Sequence, residues 1–312
     1  MNKLNALGID LGGTAIKFGI VNQSGEILYE NIIPTRIEKN GESILNRIRF
    51  AVQESILFSH THHLGLEGIG IGIPGIVDRG FVMGSENIPE LNGTNPGEIL
   101  EKEFGLPVYL ENDANVMALA ELEFGKDKSL KDLLFLTVGT GIGGAMVIDR
   151  KLYGGYRNRG TEFGHLSVNL NGPTCNCGSK GCLEILASVP ALIKDYRGRK
   201  GNPQEEFFLD GKFMVSRYLE GEKEALESFE SHFQYLSHGL ASLINILSPQ
   251  KIIIGGGISE SGDFYISQIR KRTLAISMKE TSEFVQIERA EWGNKAGFIG
   301  ASTLILGQHG QK

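Results

Sequence analysis

Alternating apolar and polar positions near the start of the chain predict a β-hairpin over residues 7–21. In its second half, Ile16, Phe18 and Ile20 alternate with lysine or glycine, which is the two-residue period of a strand. The first strand ends at Asp10, and two adjacent glycines form the turn. The chain therefore opens on a strand, a tight turn and a second strand.

The same pattern continues along the chain and predicts alternating strands and helices. The further predicted strands cover residues 27–34, 66–73, 106–111, 133–138, 143–148, 251–254 and 284–288. The predicted helices cover residues 43–58, 113–124, 226–247 and 296–306, with a polar, variable helical insertion over 193–223. A second strand–glycine turn–strand unit at 133–148 resembles the first weakly, so we expect an α/β fold of two related lobes with a cleft between them.

Domain boundaries follow from this order of elements. We expect a small α/β lobe made of residues 1–112 and 295–312, and a large α/β lobe over residues 113–294.

Composition narrows the class of protein. The 312 residues are 41% apolar, which is enough for a sizeable core, and the formal net charge of −6 argues against nucleic acid or an anionic membrane as partner. The sequence shows neither an apolar run of membrane-spanning length nor the apolar core of a signal peptide. We expect a cytoplasmic protein.

The hairpin tip combines residues that suit a phosphate. We expect Gly12 and Gly13 to adopt positive φ in the turn, so that backbone N–H groups can approach an anion. Thr14 adds a hydroxyl and Lys17 a positive charge, while Asp10 is placed to hold Mg²⁺ or its water shell. The alternative is an ordinary hairpin without a ligand.

Three cysteines lie within eight residues and predict a metal site. Cys175, Cys177 and Cys182 offer three thiolates, and His165 lies just upstream. Three sulfurs and one imidazole complete a tetrahedral structural zinc site that leaves no position for water. The alternative is three reduced cysteines that pack as small apolar residues.

Five motifs in this order resemble the ROK family of sugar kinases and repressors. They are Asp10-Leu-Gly-Gly-Thr-Ala-Ile-Lys17, Glu111-Asn-Asp-Ala-Asn115, Thr137-Val-Gly-Thr-Gly-Ile-Gly-Gly144, Glu162-Phe-Gly-His165 and Cys175-Asn-Cys-Gly-Ser-Lys-Gly-Cys-Leu-Glu184. The resemblance covers nearly the whole chain and implies the two-lobed fold shared by actin and sugar kinases, with ATP and Mg²⁺ as cofactors beside structural Zn²⁺. It also implies a homodimer.

The resemblance implies that Asp113 is the general base that takes a proton from a sugar hydroxyl. Asp113 stands where a strand is expected to end and a helix to begin, a position that aims a side chain into a cleft. The alternative is that Asp113 only caps the helix.

The remaining site residues are also implied by the resemblance. The sugar-binding residues are Gly75, Asn87, Asn112, Asp113, Glu162, His165 and Glu184. The nucleotide-binding residues are Asp10, Gly12, Gly13, Thr14, Lys17, Gly139, Thr140, Gly141, Gly255, Gly256 and Gly257. One departure is Thr161, which stands where the family usually has a small residue, commonly glycine, and bears on the identity of the sugar.

The function implied is ATP-dependent phosphorylation of a hexose, foremost glucose at its 6-hydroxyl. N-acetylmannosamine, N-acetylglucosamine and fructose are alternative substrates. A sugar-responsive transcriptional repressor is a second class of function; we expect the hairpin at residue 7 to leave no room for a preceding DNA-binding domain. An actin-like or chaperone-like ATPase that shares only the fold is a third class.

Overall fold

The computed structural model describes residues 4–35, 43–201 and 209–307. These residues form two compact units. The first unit draws on Met1–Ser129, Met146–Gly160 and Asn294–Lys312, and the second on Leu130–Ala145 and Thr161–Gly293.

Strands and helices alternate along the described chain. The strands are β1 (Asn5–Leu11), β2 (Ala15–Asn22), β3 (Ile27–Pro34), β4 (Ile69–Ile73), β5 (Ile76–Asp78), β6 (Phe81–Gly84), β7 (Val108–Asn112), β8 (Leu133–Val138), β9 (Ile142–Ile148), β10 (Lys151–Leu152), β11 (Lys251–Gly255) and β12 (Gln286–Arg289). The helices are α1 (Ile44–Thr61), α2 (Pro96–Phe104), α3 (Asp113–Phe124), α4 (Leu183–Ala187), α5 (Val189–Arg199), α6 (Gly211–Leu219), α7 (Lys223–Leu247), α8 (Asp263–Ile276), α9 (Lys279–Ser282) and α10 (Ala296–Leu306).

Two five-stranded sheets share one topology. The first has the order β3-β2-β1-β4-β7 and the second the order β10-β9-β8-β11-β12. In the first sheet, β1, β2 and β3 form an antiparallel meander, and β4 and β7 run parallel to β1. In the second, β8, β11 and β12 are parallel. The repeated strand order confirms the repeat that the two glycine-tipped units indicate in the sequence.

Helix α10 packs directly onto the first sheet through backbone contacts. A Cβ at Gly8 of β1 would lie 1.8 Å from the carbonyl oxygen of Phe298, and a Cβ at Gly70 of β4 would lie 1.8 Å from that of Ala301. On the other face of the helix, a Cβ at Gly300 would lie 1.6 Å from the carbonyl oxygen of Val116 in α3. Only glycine permits this approach, so the helix, the sheet and α3 form one tightly packed body.

This packing is the reason that α3 belongs to the first unit. The boundary expected at residue 113 separates α3 from β7, the strand that leads into it. In the structure α3 packs on α10 and β4 of the first unit. The contact depends on Gly300, which is far from α3 in the sequence, and no local pattern reveals it.

Most predicted elements are present, with shifted ends. Strand Ile27–Pro34 and helix Ala296–Leu306 have the predicted bounds, whereas the strand predicted from residue 66 begins at Ile69. The strand expected from residue 284 begins at Gln286, because residues 283–284 form the turn that follows α9. Part of the expected insertion, residues 202–208, lies outside the described residues. No helix of the described residues is both long and apolar enough to cross a membrane.

We expect Gly70→Ala to lower the free energy of unfolding by about 3 kcal/mol, because the new methyl group meets the backbone of α10. Urea denaturation followed by circular dichroism measures the change. The matched control is Gly198→Ala on the exposed side of α5, where nothing lies within 4 Å of a Cβ. That variant gains about 1 kcal/mol from helix propensity. Equal stabilities for the two variants would contradict the tight packing of α10.

Candidate functional site

The β1–β2 hairpin turns on two glycines beside a buried carboxylate. Asp10 lies near the end of β1, opposite Lys17 in the hairpin register. The expectation that Gly12 and Gly13 adopt positive φ is wrong, since neither residue is left-handed. Space is the reason for glycine at position 12, because a Cβ there would lie 2.8 Å from the carbonyl oxygen of Ala15.

Asp10 is the buried acidic group of this hairpin. Its side chain is only 7% exposed. Burial raises the pKa of the Asp10 carboxyl, and the charge of Lys17 lowers it in part. A Cβ at Gly297, the second residue of α10, would lie 2.3 Å from the carboxyl carbon of Asp10, so α10 closes one side of the group. A bound cation would favour the charged carboxylate, which is an oxygen ligand that Mg²⁺ accepts.

The exposed tip of the hairpin lies beside a predicted sugar-binding residue. Gly13 and Thr14 are exposed, and a Cβ at Gly13 would lie 3.8 Å from the Cβ of Asn87. Asn87 is itself exposed and lies in a turn in which the Ile88 N–H donates to the Ser85 hydroxyl at 3.2 Å. The structure thus places Asn87 next to the hairpin tip that is predicted to bind phosphate.

The junction between β7 and α3 holds Asp113 as the first helical residue. Asn112 is the N-cap, and its Oδ1 accepts a hydrogen bond from the Asn115 N–H at 3.1 Å. Asp113 is half-buried, and its Oδ1 accepts from the N–H of Ala114 at 2.9 Å. The N-cap is thus Asn112 and not Asp113, whose carboxylate accepts the next N–H of the first helical turn.

Asn112 also ties this junction to the end of β4. Its Nδ2 donates to the carbonyl oxygen of Gly75 at 3.0 Å. Gly75 has φ +124°, and a Cβ there would lie 2.3 Å from the carbonyl oxygen of Gly84. Both facts require glycine at this position. The hydrogen bond to Asn112 holds the backbone near Gly75 beside the start of α3.

Glu111 is a residue that the sequence analysis did not assign. Its Oε1 accepts hydrogen bonds from the backbone N–H of Asn112 at 2.8 Å, from Nδ2 of Asn115 at 2.9 Å and from Nδ2 of Asn158 at 2.9 Å. The spacing of Glu111 and Asn115 across the start of a helix is a signal that the sequence offers. Asn158 lies 47 positions along the chain from Glu111, and no pattern connects the two.

In the second unit, the turn between β8 and β9 is tied to Glu184. The turn residues are Gly139, Thr140 and Gly141, and the next N–H, that of Ile142, donates to Oε2 of Glu184 at 2.9 Å. A Cβ at Gly141 would lie 2.5 Å from the same oxygen. The structure therefore brings a predicted nucleotide-binding turn and a predicted sugar-binding carboxylate into direct contact.

The glycine run after β11 lies against the end of β8. Gly256 has φ +91°, and a Cβ there would lie 2.1 Å from the carbonyl oxygen of Val138. Nothing lies within 4 Å of a Cβ at Gly257, and the Gly255 site contacts the ring of Phe135. This run thus adjoins the turn that begins at Gly139.

The predicted metal-binding residues converge in one cluster of the second unit. Ligand atoms of His165, Cys175, Cys177 and Cys182 all lie within 4.8 Å of one another. The Sγ atoms of Cys177 and Cys182 are 3.6 Å apart, and Sγ of Cys175 is 3.7 Å from Nδ1 of His165. A zinc ion with bonds of about 2.3 Å to sulfur separates tetrahedral ligands by about 3.8 Å. The donor set and its spacing fit Zn²⁺.

The thiols of this cluster differ in acidity. A backbone hydrogen bond at Ser179 lowers the pKa of the exposed Cys177 thiol. Burial, with the neighbouring thiols, raises the pKa of Cys182 to about 12. A bound zinc ion requires thiolates and would hold all three in that form.

The Glu162-x-x-His165 segment lies close to Glu184. Desolvation raises the pKa of the Glu162 carboxyl, the charge of His165 lowers it, and the charge of Glu184 raises it. Thr161 just before it has φ +65°, a left-handed conformation that is strained for a β-branched residue. The departure noted in the sequence thus coincides with backbone strain.

The predicted residues divide between the two units. The first unit contains Asp10, Gly12, Gly13, Thr14, Lys17, Gly75, Asn87, Asn112 and Asp113. The second unit contains Gly139, Thr140, Gly141, Glu162, His165, Cys175, Cys177, Cys182, Glu184, Gly255, Gly256 and Gly257.

Comparison with known proteins agrees with the motifs. A glucokinase of Thermotoga maritima is 33% identical over 98% of this chain and 98% of its own length. A putative xylose repressor of Caldicellulosiruptor is 29% identical over 96% of this chain and 77% of its own length.

Comparison with a solved structure shows that the similarity extends to the three-dimensional fold. The ROK family glucokinase from Streptomyces griseus, in complex with glucose and AMPPNP, is 33% identical and superposes with a TM-score of 0.82 over 96% of this chain and 99% of its own. The predicted actin-like sugar-kinase fold is thereby confirmed. Residues 6–308 match the ROK family, and the chain belongs to that family.

Proposed function

We propose that the protein transfers the γ-phosphoryl group of ATP to the 6-hydroxyl of glucose. The observation that carries this proposal is the junction of β7 and α3, where Asn112 is the N-cap of the helix and Asp113 follows it as a half-buried carboxylate on the first turn. The likeness to glucokinases over the whole chain supports the hexose as substrate.

Asp113 acts as the general base in this proposal. Phosphoryl transfer requires an oriented hydroxyl and a group that takes its proton as the bond to phosphorus forms. Asp113 is half-buried on the first turn of a helix, so its carboxylate is held in place. Asn112, anchored on Gly75, orients the sugar beside it.

Glycine turns provide the nucleotide contacts in this proposal. Backbone N–H groups around Gly12, Gly13 and Thr14, with Lys17, bind phosphate oxygens, as do those of the Gly139–Gly141 turn. The adenosine lies against the backbone of the glycine run Gly255, Gly256 and Gly257, because these residues have no side chain. When bound, Mg²⁺ neutralises charge on the phosphates, and Asp10 would hold it directly or through water.

The zinc cluster orients the sugar-binding groups of the second unit. Nδ1 of His165 faces Sγ of Cys175, so a metal at the cluster would hold Nδ1 and leave Nε2 for a sugar hydroxyl. Glu184 follows the cluster by two residues and Glu162 precedes His165 by three. These carboxylates and the imidazole accept and donate the hydrogen bonds that discriminate between hexoses.

Likeness to a xylose repressor favours a second candidate, a sugar-responsive regulator. The two functions differ in turnover, because a regulator binds sugar without consuming ATP. A homodimer and a cytoplasmic location stay predictions.

A coupled assay of ADP release with ATP and Mg²⁺ tests the reaction over a panel of glucose, fructose, N-acetylmannosamine and N-acetylglucosamine. We expect the highest kcat/KM for glucose. A higher value for another hexose would replace the substrate but keep the reaction. Sugar binding without ADP release would favour the regulator.

We expect Asp113→Asn to lower kcat about 1,000-fold, because the amide cannot take the proton of the hydroxyl. Sugar affinity measured by calorimetry changes by less than about threefold, since the hydrogen-bonding shape is kept. The matched control is Asp263→Asn, because Asp263 is also the first residue of a helix, α8, and is exposed. Near-normal turnover in Asp113→Asn would require another base.

We expect Cys177→Ala to lose zinc and to raise the KM for sugar roughly tenfold, because His165 and Glu184 lose their common anchor. Elemental analysis should find one zinc per chain in the unaltered protein and none in the variant. Asn176→Ala is the matched control in the same loop and keeps its zinc. A full zinc content in Cys177→Ala would contradict the proposed ligand set.

A further inference from the structure

Glu111 joins two separate segments of the first unit through a single oxygen. Its Oε1 accepts from the backbone N–H of Asn112 at 2.8 Å and from Nδ2 of Asn115 at 2.9 Å, which are residues on either side of Asp113. The same oxygen accepts from Nδ2 of Asn158 at 2.9 Å. Asn158 belongs to residues 153–160, which we call the strap.

The strap is an exposed loop fastened at a few points. Tyr156 near its centre is 88% exposed. The second hydrogen of the Asn158 amide is used on the carbonyl oxygen of Val77 at 3.0 Å, and the Arg157 guanidinium pairs with the buried Asp78 carboxylate at 2.9 Å. Within the described residues these contacts and the one to Glu111 hold the middle of the strap on the first unit.

The strap is also held in an unfavourable backbone conformation. Arg157 and Asn158 both have φ +56°, which is uncommon outside glycine. Such conformations persist where surrounding contacts over-determine them. The side-chain contacts of these two residues to Asp78, Val77 and Glu111 therefore supply the restraint.

An acidic residue suits the meeting point of these segments. Three N–H groups converge on one oxygen, and hydrogen bonds to an ionised acceptor are shorter and stronger than those to a neutral one. Glu111 is half-buried, so water competes less for these donors than at the surface. Removing the carboxylate would leave the amides of Asn115 and Asn158 without this acceptor.

We propose that Glu111 is a positioning residue for phosphoryl transfer, whose carboxylate locks the turn that carries Asp113 to the strap. Glu111 accepts from the backbone N–H of Asn112 before Asp113 and from the side-chain amide of Asn115 after it, so one carboxylate oxygen contacts the chain on both sides of Asp113. The strap leads along the chain to Glu162, four residues after Asn158. Glu111 thus sets the direction of the base without touching the substrate. This inference rests on the proposed role of Asp113.

The test compares Glu111→Ala, Glu111→Gln and Asn158→Ala with the unaltered chain. We expect Glu111→Ala to lower kcat on the order of 10–100-fold, because small misplacement of a reacting group has effects of that size. Sugar affinity by calorimetry changes less than about threefold, since Asn112 keeps its contact with Gly75. Glu111→Gln retains one acceptor oxygen and restores part of kcat.

A second readout does not depend on activity. Arg157 and Arg159 are exposed trypsin sites in the strap, and mass spectrometry follows their cleavage under native conditions. We expect roughly tenfold faster cleavage at these sites in Glu111→Ala and in Asn158→Ala. Because both substitutions break the same link, combining them adds little to either effect.

The matched control is Glu101→Ala. Glu101 reaches the N–H of Val108 at 3.5 Å, at the opposite end of the same strand β7, and its loss should leave kcat and strap cleavage unchanged. Thermal unfolding by circular dichroism checks that every assay is run on folded protein. If Glu111→Ala does not fold, Glu111→Gln and Asn158→Ala decide the question by the same readouts.

The outcomes separate this inference from the proposed function. Absence of turnover with every sugar in the unaltered chain would overturn the proposed function, and the positioning role with it. Turnover in the unaltered chain with an unchanged kcat in Glu111→Ala would overturn this inference alone. Unchanged cleavage of the strap in both Glu111→Ala and Asn158→Ala would also overturn it.

Discussion

Close backbone contact between α10 and its surroundings is the constraint on which the first unit depends. The helix meets β1 at Gly8, β4 at Gly70 and α3 at Gly300, in each case with a separation that a Cβ would abolish. Its second residue, Gly297, lies against the Asp10 carboxyl. One helix from the end of the chain thereby fixes both the strand that carries Asp10 and the helix that begins at Asp113. If α10 packed differently, the carboxylates of Asp10 and Asp113 would both be displaced.

The second unit organises its site by a different means. Three sulfurs and an imidazole of this unit lie within 4.8 Å of one another on one loop and the segment before it. Glu184 follows this loop directly and holds the turn between β8 and β9 through the N–H of Ile142. In the first unit, tight packing thus positions Asp10 and Asp113. In the second unit, Glu184 after the cysteine loop positions the Gly139–Gly141 turn through a hydrogen bond.

The sequence predicts what is local and misses what depends on distant contacts. The hairpin and the cysteine loop can be predicted because their residues are close in the chain. The structure contains both hairpin strands and the cluster of three cysteines with His165. Asn112 and Asp113 are equally good helix caps by residue type, so the actual cap could not be predicted. The contact of Gly300 with α3 and the bond from Asn158 to Glu111 join distant segments, and neither leaves a periodic pattern. A positive φ was expected at Gly12, whereas the structure gives crowding by the Ala15 carbonyl oxygen as the reason for glycine there.

The carboxylate of Glu184 has one further consequence. Its Oε2 is committed to the backbone beside Gly141, while its other oxygen serves the sugar in the proposed function. Movement of the Glu184 carboxylate when one ligand binds would then change its contact with the other ligand's site. Thermodynamic linkage makes such communication reciprocal. In the proposed function, the binding of hexose and of nucleotide would consequently be coupled, each changing the affinity for the other by the same factor.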